Sequence, residues 1–123
     1  YAGIPLTHRK FASSVVFVTG HEDFEKSKDA VRWKKLAKST DTIVVMMGLS
    51  RIGIISKQLL SGGMDKKTPV AVIQDGTTSK QKMITGTISN IAQKIKQSKI
   101  RPPSIIIIGK VVSLSKTIGW RKK

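Results

Sequence analysis

Cysteine is absent from the 123 residues. That excludes disulfides, a thiolate metal site and a cysteine nucleophile, and a cytoplasmic home is the simplest reading. Aromatic residues are scarce, at 5%, so few side chains could serve as platforms for stacked nucleobases. Acid is scarce as well: seven Asp plus Glu stand against 23 Lys plus Arg, a net charge of +16. No apolar run approaches the ~18 residues of a membrane span. The longest runs, Ile43 to Met47 and Ile105 to Ile108, have strand length. No secretory leader is expected, because Tyr1-Ala2-Gly3 opens straight into a turn-rich segment. The chain lacks an initiating Met, which suggests a fragment or a processed chain. No phosphate-binding P-loop is present, since Gly76-Thr-Thr-Ser-Lys80 lacks the second glycine. No metal is expected either: His8 and His21, beside Glu22 and Asp23, fit no ligand spacing of a known site.

What remains fits one folded domain. Hydrophobic residues make up 39%, enough for a core at this length. The cationic excess points to anionic partners. Nucleic acid is the generic candidate, but the lysines are scattered rather than massed. A solvated lysine-rich surface and a polycarboxylate small molecule remain as alternatives.

Periodicity predicts the elements. Residues 1–13 read as irregular, and Ser14 to Thr19 as a β-branched strand closed by Gly20. His21 to Lys28 is polar and reads as a loop, followed by a helix over 29–38. Further strands are expected at Asp41 to Met47, Pro69 to Ile73, Lys82 to Thr87 and Ser104 to Ile108. Val111 to Leu114 either extends the last of these or pairs separately. Ser50 is placed to cap a helix over 51–61 that ends on Gly62-Gly63. Thr87 or Ser89 is placed to cap another, with Ile88, Ile91 and Ile95 on one face. Alternation of strands with helices, and strands apolar throughout, predict an α/β domain. Its sheet is expected to be mixed, largely parallel and five-stranded, with helices on both faces. The strand over 82–87 follows its predecessor after a short turn and should run antiparallel to it.

In such sheets ligands collect beyond the carboxyl ends of the strands, where loops expose backbone groups. Three strand ends carry glycine: Thr19-Gly20-His21, Met46-Met47-Gly48 and Asp75-Gly76-Thr77-Thr78. Glycine there lets a ligand approach the backbone closely, or simply ends the strand. Of Met46 and Met47, which alternate, at least one is expected to fill the core. Arg9 and Lys10 can equally be solvated charges.

The opening string Tyr1-Ala-Gly-Ile-Pro-Leu-Thr-His-Arg9 carries a specific likeness. So, in order, do Val18-Thr-Gly-His-Glu22, Asp41-Thr-Ile-Val-Val-Met-Met-Gly48, Pro69-Val-Ala-Val-Ile73 with Asp75-Gly-Thr77 and Gln81, Thr85-Gly-Thr87, and Arg101-Pro-Pro-Ser-Ile-Ile-Ile-Ile-Gly109. Together they resemble uroporphyrinogen-III C-methyltransferases, of the tetrapyrrole methylase family, over nearly the whole chain. The resemblance implies that residues 1–123 are the second domain of such an enzyme. The first domain, which brings a Gly-rich cofactor loop, would lie outside this sequence.

It further implies S-adenosylmethionine as methyl donor, S-adenosylhomocysteine as product, and methylation of uroporphyrinogen III at C2 and C7 to precorrin-2, on the way to sirohaem or cobalamin. A homodimer is implied for the full enzyme, with no membrane partner expected and nucleic acid an unfavoured one. The alternatives are a related precorrin methyltransferase with another ring position as target, and a basic nucleic-acid-binding module. By the same resemblance Met47 and Gly48 contact the cofactor, Gly76 and Thr77 lie at its adenosine end, and Arg9 and His21 face the tetrapyrrole.

Overall fold

A computed structural model describes residues 1–20 and 31–121. Five strands form: β1 (Val15–Thr19), β2 (Thr42–Met46), β3 (Pro69–Gln74), β4 (Lys82–Thr87) and β5 (Ser104–Ile108). Four α-helices accompany them: α1 (Trp33–Ser39), α2 (Ile52–Ser61), α3 (Ile91–Gln97) and the short α4 (Ser115–Ile118). Two 3-10 turns, Leu49–Arg51 and Lys110–Leu114, lead into α2 and α4. The loop expected over 21–28 and the first residues of the helix expected from Asp29 lie outside the described residues.

The strands assemble as one sheet in the order β1-β2-β5-β3-β4. Only β1 and β2 pair in parallel; the other three ladders are antiparallel. The expectation of a largely parallel sheet is therefore corrected, while the mixed five-stranded α/β architecture stands. The reason is that an unbroken apolar strand reports burial on both faces, not the direction of its neighbours. β5, the last strand in the chain, inserts between β2 and β3 and runs against both. As a result β1, β2 and β3 still point the same way, and their carboxyl ends share one edge of the sheet. The β3–β4 hairpin is antiparallel, as the short turn implies.

Side chains alternate across the central strands. Ile43, Val45, Val70, Val72, Ile106 and Ile108 face one layer, where Trp33, Ile52, Ile55, Leu59, Ile88 and Ile91 close the main core. On the other face Ala71, Ile73, Ile105 and Ile107 meet Ala2, Ile4, Leu6, Ala12, Val111 and Val112. So α1, α2 and α3 cover one side. The extended opening segment and the Lys110–Leu114 turn cover much of the other. Residues 1–13 are irregular except for a bridge between His8 and Ala12.

Helix ends depart from the expected caps. α2 ends as its glycines imply: Gly63 takes φ +98, Gly63 N–H donates to Leu60 O, and Met64 N–H donates to Leu59 O. That is a Schellman closure, which a left-handed glycine permits. Its start is different. Ser50 lies inside the 3-10 turn and caps nothing; Gly48 and Arg51 hold the cap positions without a side-chain bond. α3 is capped by neither Thr87 nor Ser89. Asn90 precedes it, and its Oδ1 accepts from Thr87 N–H, closing the preceding turn instead. Val111 to Leu114 forms the 3-10 turn and not a strand, because Val111 and Val112 both have apolar surface to bury on the second face.

Candidate functional site

Three like-directed strands end at one edge. Gly20 N–H donates to Met46 O at 2.7 Å, which locks the exit of β1 onto the exit of β2. The approach is close enough that a Cβ on Gly20 would stand 2.4 Å from Gly48 Cα. Across β5, Asp75 N–H donates to Pro103 O at 3.1 Å, joining the exit of β3 to the entry of β5. The rim thus runs from Gly20 through Met46-Met47-Gly48 and Arg101-Pro-Pro103 to Asp75-Gly76-Thr77.

Backbone strain concentrates here. Among the described residues, three non-glycine residues have positive φ: Met47 (+54), Asp75 (+50) and Thr77 (+69). All three belong to this rim. A left-handed non-glycine residue costs about 1–2 kcal/mol, so the surroundings must hold it. The turn after β3 is held from several directions. Thr77 N–H donates to Gln81 Oε1 at 2.7 Å, Thr78 Oγ1 to Asp75 O at 2.7 Å, and Arg121 Nη1 to Thr78 O at 2.8 Å.

Between these ends lies a pocket of about 520 Å³ lined by Met46, Met47, Leu49, Pro102, Pro103 and Ile105, with Ser50 and Ser104. Its volume falls within the range of small-molecule sites, and its wall is mainly apolar. Met46 is 50% exposed and Met47 64%. Neither fills the core, contrary to the expectation that at least one would. Both thioethers are presented to the rim. A larger cleft of about 760 Å³ lies along β4 beside the tail, lined by Tyr1, Ser79, Gln81, Lys116 and Arg121 among others. It lacks the apolar wall and lies off the strand ends, so the smaller pocket is the better candidate.

Lys80, Lys82 and Arg101 are exposed at this edge. Among the described residues the one carboxylate there, Asp75, accepts from Gln74 Nε2 at 2.8 Å. Among the described residues the rim is therefore cationic, as an anionic ligand would require.

The structure brings Met47, Gly48, Gly76 and Thr77 onto this rim. His21 lies outside the described residues, although Gly20 before it is on the rim. Arg9 is not there. It sits on the turn between His8 and Ala12, where Lys10 N–H donates to His8 Nδ1 at 3.1 Å. The following Ser13 N–H donates to the Asp41 carboxylate at 2.8 Å, just before β2 begins. That is the opposite edge of the sheet, about 16 Å away along a five-residue strand. Sequence reading missed Pro102 and Pro103, which reach the rim only because β5 is antiparallel. It missed Gln74 too, whose signal was a polar residue closing an apolar strand. Among the described residues no three of His, Cys, Asp or Glu gather as a metal site. No described helix is long and apolar enough to cross a membrane.

The family profile of tetrapyrrole (corrin/porphyrin) methylases matches residues 1–92. The chain belongs to that family. It is 43% identical over 122 residues to an S-adenosyl-L-methionine-dependent uroporphyrinogen III methyltransferase of Methanosarcina barkeri, an alignment covering 99% of this chain and 48% of that one. It is 44% identical over 120 residues to a siroheme synthase of Nitrosomonas eutropha, covering 98% of this chain and 25% of the relative. A uroporphyrin III C-methyl transferase from Thermus thermophilus, solved with S-adenyl homocysteine, superposes with TM-score 0.77 at 30% identity, over 92% of this chain and 49% of that one. The chain thus spans between a quarter and a half of the length of these relatives.

Proposed function

We propose that residues 1–123 form the second domain of an S-adenosylmethionine-dependent uroporphyrinogen III methyltransferase, and supply one wall of its methyl-donor cleft. The observation that carries the reading is the shared rim, where strained Met47 lines an apolar pocket and the Asp75–Thr77 turn is tied to Pro103 in its wall. When bound, S-adenosylmethionine supplies an electrophilic methyl group. The residues present fit it. Met46 and Met47 give a polarisable wall that neither competes as a nucleophile nor sets a cation against the sulfonium. Gly48, Gly76 and Thr77 offer backbone at close range.

In this reading the chain's work is alignment: it would hold donor and tetrapyrrole in line, so that the methyl could pass to a pyrrole carbon as its bond to sulfur breaks, S-adenosylhomocysteine leaves and a proton is lost from the macrocycle. The exposed Lys80, Lys82 and Arg101 would draw a polycarboxylate toward the cleft. By the resemblance, His21, the residue after Gly20 in the sequence, would bond a carboxylate or take a proton from the macrocycle. Arg9 stands outside the wall at the far edge, and the cofactor reading does not draw on it. The reading places methyl groups on C2 and C7, giving precorrin-2, in a cytoplasmic homodimer.

The test is methyl transfer by a polypeptide carrying this chain joined to a Gly-rich first domain of the family. Two methyl groups added to uroporphyrinogen III, assigned by NMR to C2 and C7, are expected. A product methylated only at another ring position, or none, would overturn the reading. The isolated chain is expected to bind S-adenosylmethionine poorly and to turn over nothing measurable, since half a cleft preorganises only part of the contacts. Titration calorimetry checks this, and micromolar affinity would contradict it.

Gly76 allows a sharper prediction. A Cβ built there meets only Ile73 Cγ2, at an ordinary 3.5 Å, so the fold does not demand glycine. Gly76→Ala in the two-domain protein is expected to leave the thermal midpoint unchanged. It should weaken S-adenosylmethionine about tenfold, the effect of a methyl group forced into a tight contact. Equal affinity by calorimetry would remove Gly76 from the site.

A further inference from the structure

We infer that Gln74 is a positioning residue for the donor site, a role that rests on the methyltransferase reading and deepens it. Gln74 closes β3 with a side chain only 3% exposed. Both ends of its amide are used. Nε2 donates to Asp75 Oδ2 at 2.8 Å, and Oε1 accepts from Arg101 N–H at 2.9 Å. The Asp75 backbone completes the link by donating to Pro103 O at 3.1 Å. Two segments that are adjacent only through the antiparallel insertion of β5 are thereby clamped. One is the turn with left-handed Asp75 and Thr77. The other is Arg101-Pro-Pro103, whose prolines line the pocket shared with Met46 and Met47.

The chemistry explains why glutamine suits this position. A buried amide must satisfy a donor and an acceptor at once, and only a group carrying both can bind a carboxylate and a backbone N–H together. Removing it frees Asp75 to turn toward water and relaxes the left-handed residue that its carboxylate helps to hold. Gln81 acts from the other side by accepting the Thr77 N–H. Buried, with both ends of its amide engaged, Gln74 is not available to donor or tetrapyrrole. It acts through the Asp75–Thr77 backbone, and its influence should fall on cofactor affinity rather than on the chemical step.

The test compares Gln74→Leu and Gln74→Glu in the two-domain protein, with hydrogen exchange followed in both that protein and this chain. Leucine keeps the volume and removes both bonds. Glutamate keeps the acceptor for Arg101 but sets a like charge against Asp75, cutting one arm. For Gln74→Leu the expected results are a KM for S-adenosylmethionine raised about tenfold, as the unclamped turn loses its preorganisation, with kcat nearly unchanged. Exchange at the Asp75, Thr77 and Arg101 amides should be faster. For Gln74→Glu, KM should rise by less, with faster exchange at Asp75 and Thr77 but not at Arg101. A lower thermal midpoint with KM unchanged in both variants would mark Gln74 as merely structural and overturn the role. Unaltered exchange at Asp75 and Thr77 would overturn it as well. If the unsubstituted two-domain protein fails to bind S-adenosylmethionine, the methyltransferase reading falls instead, and with it the site that Gln74 serves.

Discussion

Gly20→Ala is expected to destabilise the chain by about 2 kcal/mol and to lower its thermal midpoint by roughly 8 °C. The added Cβ would lie 2.4 Å from Gly48 Cα and 3.2 Å from Met47 O. Those neighbours are backbone, which cannot swing aside as a side chain can. Relief requires the exits of β1 and β2 to separate, which breaks the Gly20 N–H bond to Met46 O. Because Met47 is already left-handed, the same movement should disturb the apolar pocket. Gly20→Ala therefore couples two losses, stability and donor affinity in the two-domain protein. Thermal denaturation followed by circular dichroism measures the first, and calorimetry the second. An unchanged midpoint would show that the two loops are not packed as described.

Leu59→Ala is expected to act on stability alone. Leu59 is fully buried on α2 and belongs to the main core with Trp33 and the central strands. Truncation removes its contacts and leaves a cavity, at a cost of about 3 kcal/mol. For a domain of this length that is roughly a 12 °C fall in midpoint, a large part of the ~5–15 kcal/mol that holds an ordinary domain folded. Leu59 faces away from the rim, so below its melting point the two-domain protein carrying Leu59→Ala should keep its affinity for the donor. Urea denaturation gives the stability loss directly. A change under about 1 kcal/mol would mean that the core closes up around the missing side chain.

These two substitutions separate what was legible in the sequence from what was not. The core was legible: Ile43-Val-Val45, Val70 to Ile73 and Ile105 to Ile108 announce buried strands by composition, and each is one. The Gly62-Gly63 helix stop was legible because only a left-handed residue makes that closure. The convergence of three strand exits followed from the common direction of β1, β2 and β3. The position and direction of β5 did not follow, because side-chain pattern carries no sign of strand polarity. Pro102 and Pro103 consequently look like a mere break in the chain, whereas in three dimensions they line the pocket. At least one of Met46 and Met47 reads as core for a similar reason. Hydrophobicity alone cannot distinguish a residue that fills an interior from one that waits at a mouth. Caps failed at Ser50 and at Thr87 or Ser89, where glycine or asparagine geometry settled the helix start. Arg9 belongs to a string specific enough to carry the family likeness, yet string likeness does not say which edge of a sheet a turn occupies.

The late insertion of β5 has a consequence for how the molecule is made. Ile106 and Ile107 zip against Val44 and Val45 on one side and against Ala71 and Val72 on the other. Without the segment around Ser104, the facing edges of β2 and β3 would have no strand hydrogen-bonded between them. Because β5 is made after both of its neighbours, a chain cut short before it would carry two unpaired inner edges, open to pairing with other chains.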